Sequence, residues 1–560
     1  MKTILKLLFF VVTGFILTTS CIEEIDPLGQ DARVTVEQAG NAPGAYDNFV
    51  SAITSTLTGT FTYGGNSSTY PWDHGYPSFL YQRDVSGHDF PVSGDNNWFE
   101  DWYACGLGLG PQYRNCQIPW TYYFGWIKNC NTVISLAGEE PEADRITGAG
   151  IAYAMRAMFY MDLARMYAPK TYAVDRDAET VPITRETTTV TDAAHNARAT
   201  NEVMWEFILS DLDQAEEYLA DYKRSDVYTP DLSVVYGLKA RAYLVMEDWP
   251  NAVKYAKMAQ EGYSIMTKEQ YTSRETGFNT PNSSWMFGVT YKPTDPNILL
   301  NDGDSSWASW MCIEVNPYVS GCGYASNYGQ PPIIDRHLYE TIPATDFRKN
   351  CFVDFALDNL DEAACIEGLK AYSDYPDWVY LTGHDANYRR VGGLSLKFRL
   401  AGGQAGHDNQ YIGFVVAVPL MRVEEMYLIE AEAEGMQSEG NGIALLTAFA
   451  QTRDASFVYG THTDAYGNTS TSQFLNEVWW QRRVELWGEG FAPFDIKRLN
   501  KGIIRSYPNT NHLEFCRWNT TTPPSWMTLC IVQTETNYNY DCTNNDTPVR
   551  PEKDSEEHQW

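Results

Sequence analysis

Aromatic side chains gather in two stretches of the sequence that are also rich in Gly, Ser and Asn. Flat aromatic faces stack against the C–H surface of a sugar ring, and planar polar groups beside them bind its hydroxyls. We therefore predict a glycan-binding site formed by these two stretches. The first stretch contributes Tyr76, Arg83, Asn97, Trp98 and Trp102. The second contributes Trp307, Trp310, Tyr324 and Tyr328.

The alternative is that these aromatic residues only pack their loops onto a scaffold. Large aromatic side chains most often serve burial, so this interpretation is favoured for any single Trp. Binding is supported by the clustering, since long ordered loops often carry function. The other aromatic and polar residues of the two clusters are Trp72, Asp73, Tyr81, Asp89, Asn96, Tyr318 and Asn327.

The sequence carries no established motif for catalysis or for a cofactor. Gly-x-Ser-x-Gly, His-Glu-x-x-His and phosphate-loop patterns are missing, and the nine His show no ligand spacing. A glycosidase needs two carboxylates across a sugar, and 72 acidic residues offer many such pairs by chance. Residues 301–304, Asn-Asp-Gly-Asp, could touch a calcium ion, but they lack the EF-hand pattern and a plain turn is favoured. We expect no metal site and no cofactor.

Composition indicates a globular, acidic protein. The chain has 560 residues, 44% of them hydrophobic, and a formal net charge of −31. It is long enough to bury a large core. The negative charge excludes a nucleic-acid partner, because no basic excess is present to displace counterions from phosphates. It also argues against an anionic substrate or an electrostatic hold on anionic lipid.

The N-terminus is predicted to be an export signal. Residues 1–20 combine Lys2 and Lys6 with a short apolar run, and Cys21 follows directly. We predict a signal peptide at 1–20, lipidation at Cys21, and a lipid anchor and tether at 21–40. Acyl chains on Cys21 would attach the protein to a membrane. The usual lipoprotein pattern has Leu three places before Cys, whereas Leu17 is four before, so ordinary secretion is the alternative.

An exported chain with an even number of remaining cysteines can form disulfides. Removing Cys21 from the eleven cysteines leaves ten, and the pairing is open. No Cys-x-x-Cys is present, so neither a zinc knuckle nor a thioredoxin-type motif is supported. The candidates are the group Cys105, Cys116 and Cys130, the pairs Cys312 with Cys322 and Cys351 with Cys365, and the group Cys516, Cys530 and Cys542.

Apolar residues at helical spacing predict a mostly α fold. The predicted helices are 45–57, 120–136, 145–167, 201–219, 232–246, 251–261, 333–341, 358–371, 419–435, 442–454 and 471–487. Residues 59–110 lack sustained 3.6 periodicity and are predicted as ordered loops, and 263–410 are largely irregular. We predict a helical scaffold made from two separated parts of the chain, with large irregular loop insertions. Its parts are 41–280 and 281–560, packed as one compact unit.

One helix pair, 232–261, is similar to a tetratricopeptide repeat. Small residues at fixed places let two helices pack closely, and an aromatic residue fills the groove beside them. A strict repeat would have Leu where Lys239 stands, so this is a degenerate copy. The residues that carry the similarity are Ala240, Tyr243, Asp248, Trp249, Ala252, Ala256 and Ala259.

Several motifs, in order along nearly the whole chain, resemble those of the SusD/RagB nutrient-binding lipoproteins. The best match is 481–502, Gln-Arg-Arg-Val-Glu-Leu-Trp-Gly-Glu-Gly-Phe-Ala-Pro-Phe-Asp-Ile-Lys-Arg-Leu-Asn-Lys-Gly, although Pro493 stands near where the family often has Arg. The others are Trp120-x-Tyr122-Tyr123 with Asn131, Arg156-Ala157 with Tyr160, Val181-Pro182-Ile183, the pair at 232–261, and the segment from Arg422 to Ala433.

The resemblance implies a SusD-like function. Such proteins are surface lipoproteins with a tetratricopeptide-type helical scaffold that bind a nutrient, most often a glycan. They lie as a lid on a TonB-dependent, SusC-like outer-membrane transporter and have no catalytic activity. Glu23, Glu24 and Asp26 resemble the acidic tag that directs such lipoproteins to the cell surface. The charges of 481–502 are then a structural corner, outside the predicted site. Two alternatives stay open, a helical-repeat interaction protein that binds a non-glycan nutrient and a secreted glycoside hydrolase.

Overall fold

The computed structural model describes residues 40, 42–60, 70–94, 96–384, 388, 390–552 and 554–560. The predicted signal peptide at 1–20, the lipidation at Cys21 and the tether, apart from Gly40, lie outside the described residues. The described residues divide into two compact units, one that ends at Tyr46 and one from Asp47 to Trp560. In the first, the Ala45 amide donates to the Ala42 carbonyl where a helix begins. The second holds the scaffold, and a division at residue 280 remains a prediction.

The helices up to residue 271 are α1 (Ala45–Ser55), α2 (Tyr76–Ser86), α3 (Glu100–Ala104), α4 (Arg114–Ala137), α5 (Ile146–Tyr167), α6 (Val190–Ala193), α7 (Asn201–Tyr218), α8 (Leu232–Met246), α9 (Trp249–Gln260) and α10 (Lys268–Tyr271). Those that follow are α11 (Pro296–Leu299), α12 (Trp307–Met311), α13 (Arg336–Thr341), α14 (Glu362–Leu369), α15 (Pro376–Gly383), α16 (Gly403–Asp408), α17 (Gln410–Gly413), α18 (Val423–Gln437), α19 (Glu439–Gln451), α20 (Gln473–Glu485), α21 (Ala492–Arg498) and α22 (Gln533–Thr536). Two strands, β1 (Trp285–Thr290) and β2 (Ala417–Arg422), pair antiparallel, with Trp285 opposite Arg422 and Thr290 opposite Ala417. The mostly α fold is confirmed.

The long helices form a continuous stack in which each packs on the next. Helix α4 packs on α5, α5 on α7, α7 on α8, and α8 on α9. The stack then passes to a distant part of the chain, because α9 packs on α18, and α18 packs on α19 and α20. The scaffold made from two separated parts of the chain is therefore confirmed. The intervening residues, from 261 to 416, carry most of the loops.

The repeat-like pair α8 and α9 has its predicted position. Asp231 caps α8 by accepting from the amide of Val234 at 3.4 Å, and Asp248 caps α9 by accepting from the amide of Asn251 at 3.3 Å. Lys239, which replaces the usual Leu, is buried and donates to Asp213 at 2.6 Å. Its ammonium also lies over the Tyr255 ring. These contacts explain how the repeat tolerates a charge at an apolar place.

Three sequence predictions are corrected by the structure. Residues 59–110 contain α2 and α3, where only loops were predicted. All eleven residues of α2 are buried, and a helix that is buried all round has no amphipathic period to detect. The helix predicted from residue 419 begins at Val423, because the buried apolar run before it forms β2. Helix α15 was also missed, within the stretch predicted to be irregular.

The expected disulfides are not formed among the described residues, where ten cysteines are free thiols. The sulfurs of Cys116 and Cys530 are 3.8 Å apart, well beyond a bond of about 2.05 Å. Nine of the ten are buried, as is usual for a thiol that packs as a small hydrophobic group. Among the helices that the structure describes, none combines the length and the apolar character needed to span a bilayer.

The corner at 481–502 is buried and its charges are paired. The Glu485 carboxylate meets Arg453 at 3.0 Å and Arg348 and Arg422 at 3.2 Å. Burial acts to raise the pKa of Glu485, but the three guanidinium groups outweigh it and the pKa is lowered. Glu489 is likewise held by Arg422 and Lys397. These side chains join the end of α20 to β2 and to the loops, as a structural corner would.

Candidate functional site

The nine predicted glycan-binding residues divide by exposure. Trp98 is 45% exposed, Tyr328 is 42% exposed and Tyr324 is half-buried. The other six are buried, so a ligand in solvent cannot reach their faces in this structure. They are Tyr76, Arg83, Asn97, Trp102, Trp307 and Trp310.

The three accessible rings come together although they belong to different loops. Tyr324 and Tyr328 have ring centroids 4.8 Å apart, with planes inclined by 34°. Burial raises the pKa of the Tyr324 hydroxyl, and a hydrogen bond from Trp98 opposes this shift. The indole of the first loop therefore lies beside the Tyr324 phenol of the second, and Tyr324 contacts Tyr328. We call Trp98, Tyr324 and Tyr328 the aromatic platform.

A tight turn before α3 presents Trp98. The Asn97 side chain accepts from the amide of Phe99 at 2.9 Å, and its carbonyl accepts from the amide of Glu100 at 2.8 Å. Asn96 has a positive φ of 64°, a conformation that Asn tolerates better than most residues. Asn97 thus positions the indole and is itself buried. The turn leaves Trp98 in solvent and puts Phe99 in the core.

A second turn, after α12, presents the two tyrosines. The Ser309 hydroxyl accepts from the Tyr324 amide at 3.0 Å, and the Ser309 carbonyl accepts from the Ala325 amide at 2.7 Å. Asp304 accepts from the Gly323 amide at 2.6 Å. Gly323 has φ +94°, a backbone conformation that side chains other than glycine rarely adopt. The start of the turn is therefore fixed before any ligand binds.

Buried aromatic rings support the platform from below. Trp310 stacks on Tyr324 with centroids 4.5 Å apart and planes within 2°. The Trp310 indole donates to the Pro71 carbonyl at 2.6 Å, and its ring meets Phe99 edge-on at 4.8 Å. Trp102 packs against Phe99 in turn. Three of the predicted residues, Asn97, Trp102 and Trp310, therefore hold the platform in place and lie beneath it.

Asp304 is a residue that sequence reasoning did not assign to the glycan site. Burial raises its pKa to about 6, while the Gly323 amide and the Tyr328 side chain oppose the shift. The sequence indicated Asp304 only as part of the turn at 301–304 that could touch a calcium ion. In that turn Asp302 instead accepts from the Tyr411 hydroxyl at 3.1 Å. Among the described residues, no group of three or more His, Cys, Asp or Glu side chains gathers to hold a metal ion.

Tyr76 and Arg83 belong to a buried polar cluster around Asp162. The Tyr76 hydroxyl donates to this carboxylate at 2.6 Å and the Arg83 guanidinium donates at 2.8 Å. Arg165 adds a third contact at 2.6 Å. Burial acts to raise the pKa of Asp162, but the two guanidinium groups outweigh it and the pKa is lowered. This cluster ties α2 to α5. Trp307 is also internal, edge-on to Phe398.

Two family models match the sequence. One, described as "SusD family", matches residues 373–556, which include the corner at 481–502. The other, described as "Starch-binding associating with outer membrane", matches residues 90–244, which include Trp98 and the first helices of the stack. A comparison with curated proteins finds no match.

Solved structures with the same fold align over most of the chain. A SusD-like carbohydrate binding protein from Bacteroides vulgatus has 22% identity and a TM-score of 0.67, covering 89% of this chain and 97% of its own. A SusD superfamily protein from Bacteroides thetaiotaomicron has 19% identity and a TM-score of 0.63, covering 90% and 99%. Surface glycan-binding protein A from the same organism, solved in complex with laminarihexaose, has 17% identity and a TM-score of 0.62, covering 91% and 99%.

Proposed function

This chain belongs to the SusD/RagB family, and we propose that it is a non-catalytic, glycan-binding lipoprotein of the cell surface that captures an oligosaccharide. The observation that carries the proposal is the aromatic platform of Trp98, Tyr324 and Tyr328, which two separate loops assemble in solvent. A structural relative was solved with a bound hexasaccharide, which makes an oligosaccharide the first ligand to test.

The proposed mechanism is stacking on preformed rings. Tyr324 is backed by Trp310, and Asn97 and Asp304 fix the turns, so little conformational freedom would be lost on binding. Each ring would contribute about 1 kcal/mol beyond the burial of its area. Contacts repeated along a chain of sugars would add to one another. Asn96 lies in the turn that presents Trp98, and its side-chain amide is the candidate partner for a sugar hydroxyl at the platform.

The second part of the proposal is delivery. We propose that the protein passes its ligand to a TonB-dependent, SusC-like transporter, and that a lipid on Cys21 anchors it in the outer membrane. Support comes from the family description, which names association with the outer membrane. Metabolic labelling with a fatty acid tests the anchor. The label should be lost in Cys21→Ala, and a label that persists in this variant would contradict the assignment of Cys21.

The binding step is tested by titrating purified protein against neutral and charged glycans. The neutral arm includes maltohexaose, because one family model is described as starch-binding, and laminarihexaose, because a structural relative was solved with it. The charged arm uses anionic oligosaccharides of similar length. We expect saturable binding of a neutral oligosaccharide, with weaker or no binding of anionic ones because the net charge is −31.

Folded protein that binds no glycan would contradict the proposal. Co-purification of a barrel transporter without any glycan response would then favour the helical-repeat interaction protein. The same titration mixtures are also analysed for shorter sugars. Their release over time, lost on denaturation of the protein, would favour the glycoside hydrolase.

A further inference from the structure

A pocket of about 290 Å³ lies on the turn that carries the platform tyrosines. We call it the Trp378 pocket. Trp378, Leu381 and His384 line it from α15 and the residue that follows, and Pro317, Ser326 and Asn327 line it from the facing loop. The volume is at the lower end of the range for small-molecule sites. No Asp, Glu, Lys or Arg residue lines it.

The side chains of the pocket are held in place by contacts outside it. Trp378 is half-buried, and Tyr375 stacks on its indole with centroids 4.3 Å apart and planes within 9°. Tyr375 does not line the pocket. The pocket is therefore lined by the part of the Trp378 indole that Tyr375 does not cover. The Asn327 amide donates to the Gly321 carbonyl at 2.7 Å, which fixes its plane. The pocket is therefore preformed.

His384 adds a defined hydrogen-bonding group. Its Nδ1 lies 3.0 Å from the Tyr380 carbonyl, and its ring stacks on Tyr380 at 4.0 Å. Because a carbonyl only accepts, Nδ1 must carry the proton, and Nε2 is left as an acceptor in the neutral ring. His384 is exposed, so this acceptor is available to a ligand hydroxyl. An indole surface beside an acceptor and an amide is the chemistry that binds a sugar ring.

One turn separates the pocket from the platform. Tyr324 and Tyr328 belong to the platform, whereas Ser326 and Asn327, between them in sequence, line the pocket. Because the residues of the platform and of the pocket alternate along one turn, linked sugar rings of one ligand can contact both. Resting on the proposed function, we infer that the Trp378 pocket is a second sugar subsite and that the ligand is a neutral oligosaccharide of several units that crosses the turn.

The length of the oligosaccharide provides the test. Calorimetric titrations compare maltohexaose with maltose, and laminarihexaose with laminaribiose, on the wild type and on Trp378→Ala. A disaccharide fills one subsite and a hexasaccharide fills both. We expect Trp378→Ala to weaken binding of the hexasaccharide about three- to tenfold, the loss of one stacking contact, and to leave disaccharide binding on the platform unchanged. Trp378→Tyr keeps a ring and should restore most of the hexasaccharide affinity.

The matched control is Trp98→Ala, which removes a platform ring and should weaken both lengths. Hexasaccharide binding that falls in Trp98→Ala but is unchanged in Trp378→Ala would overturn this inference and leave the proposed function intact. An equal loss for both lengths in Trp378→Ala would also overturn it, because the pocket would not be a separate subsite. If the wild type binds none of the four sugars, the proposed function fails for these glycans, and the inference fails with it.

Discussion

At the scale of single residues, exposure separates Trp98 from Trp307. Both are Trp residues in loop-rich stretches, and both were predicted to bind a ligand. Trp307 is 1% exposed and packs edge-on against Phe398, whereas Trp98 projects from a turn into solvent. Trp307 therefore contributes to the core, and Trp98 contributes to the candidate site.

The two alanine variants should consequently differ in stability. Trp307→Ala leaves a large cavity and should lower the free energy of unfolding by about 3–5 kcal/mol. Trp98→Ala removes an exposed ring and should change it by less than about 0.5 kcal/mol. Denaturant unfolding of both variants and the wild type checks this. Equal losses in the two variants would mean that the burial of Trp307 or the exposure of Trp98 is wrong.

Sequence reasoning could identify the platform residues but could not separate them from their supports. Trp98, Trp102 and Trp310 look alike in sequence, because all three lie in stretches without a sustained period. In a periodic helix the spacing of apolar residues marks the buried face. In these turns the direction of each ring is set by hydrogen bonds such as those of Asn97 and Ser309, which depend on contacts made after folding.

At the scale of elements, Asp84 joins α2 to α21. It is buried, and its carboxylate accepts from the amides of Gly490 at 3.0 Å and Ala492 at 3.3 Å, at the start of α21. Burial raises its pKa to about 7, although these two amides oppose the shift. Burying Asp84 therefore lowers the free energy of unfolding at every pH at which this carboxyl is ionised in the unfolded chain.

The sign of the pH effect follows from this raised pKa. Between about pH 4 and pH 7 the folded protein holds a proton on Asp84 that the unfolded chain has released, so this group's contribution to stability falls as pH rises. Over the whole interval the change is on the order of 4 kcal/mol. In Asp84→Asn the side chain resembles the neutral acid but cannot ionise, so its contribution to stability does not vary with pH. Relative to the variant, the wild type should lose stability between pH 4.5 and pH 7.5.

Denaturant unfolding at the two pH values measures that difference. Asp144→Asn, a change at an exposed carboxylate, serves as the matched control. Stability profiles of the wild type and Asp84→Asn that run parallel from pH 4.5 to pH 7.5 would contradict a raised pKa at Asp84.

Among elements, the long amphipathic helices were predictable and the fully buried ones were not. Helices α8 and α9 have caps at Asp231 and Asp248 and clear apolar faces. Helix α2 is buried on all sides, so its polar residues, such as Arg83 and Asp84, gave no sign of a helix. The strand β2 was hidden for a related reason, because a short buried apolar run fits a strand or a helix equally well.

At the scale of the whole molecule, the helical stack and the loops have different roles. The stack is built from helices whose order and approximate bounds follow from periodicity. The platform lies on loops and the Trp378 pocket lies between a loop and the short helix α15, and nothing in the helical stack specifies which sugar they prefer. The net charge of −31 acts on a ligand as a whole and favours a neutral one. Specificity for linkage and sugar type is therefore determined by titration with different glycans.

The central claim is that the aromatic platform binds glycan. The most direct test is isothermal titration of a hexasaccharide that the wild type binds, maltohexaose or laminarihexaose, into the double variant Trp98→Ala, Tyr328→Ala. Tyr538→Ala, which removes an exposed tyrosine in the C-terminal segment, is the matched control. We predict a Kd at least about tenfold higher for the double variant, since two stacking contacts are lost, and a wild-type Kd for the control. A double variant that stays folded and binds with the wild-type Kd would contradict the account.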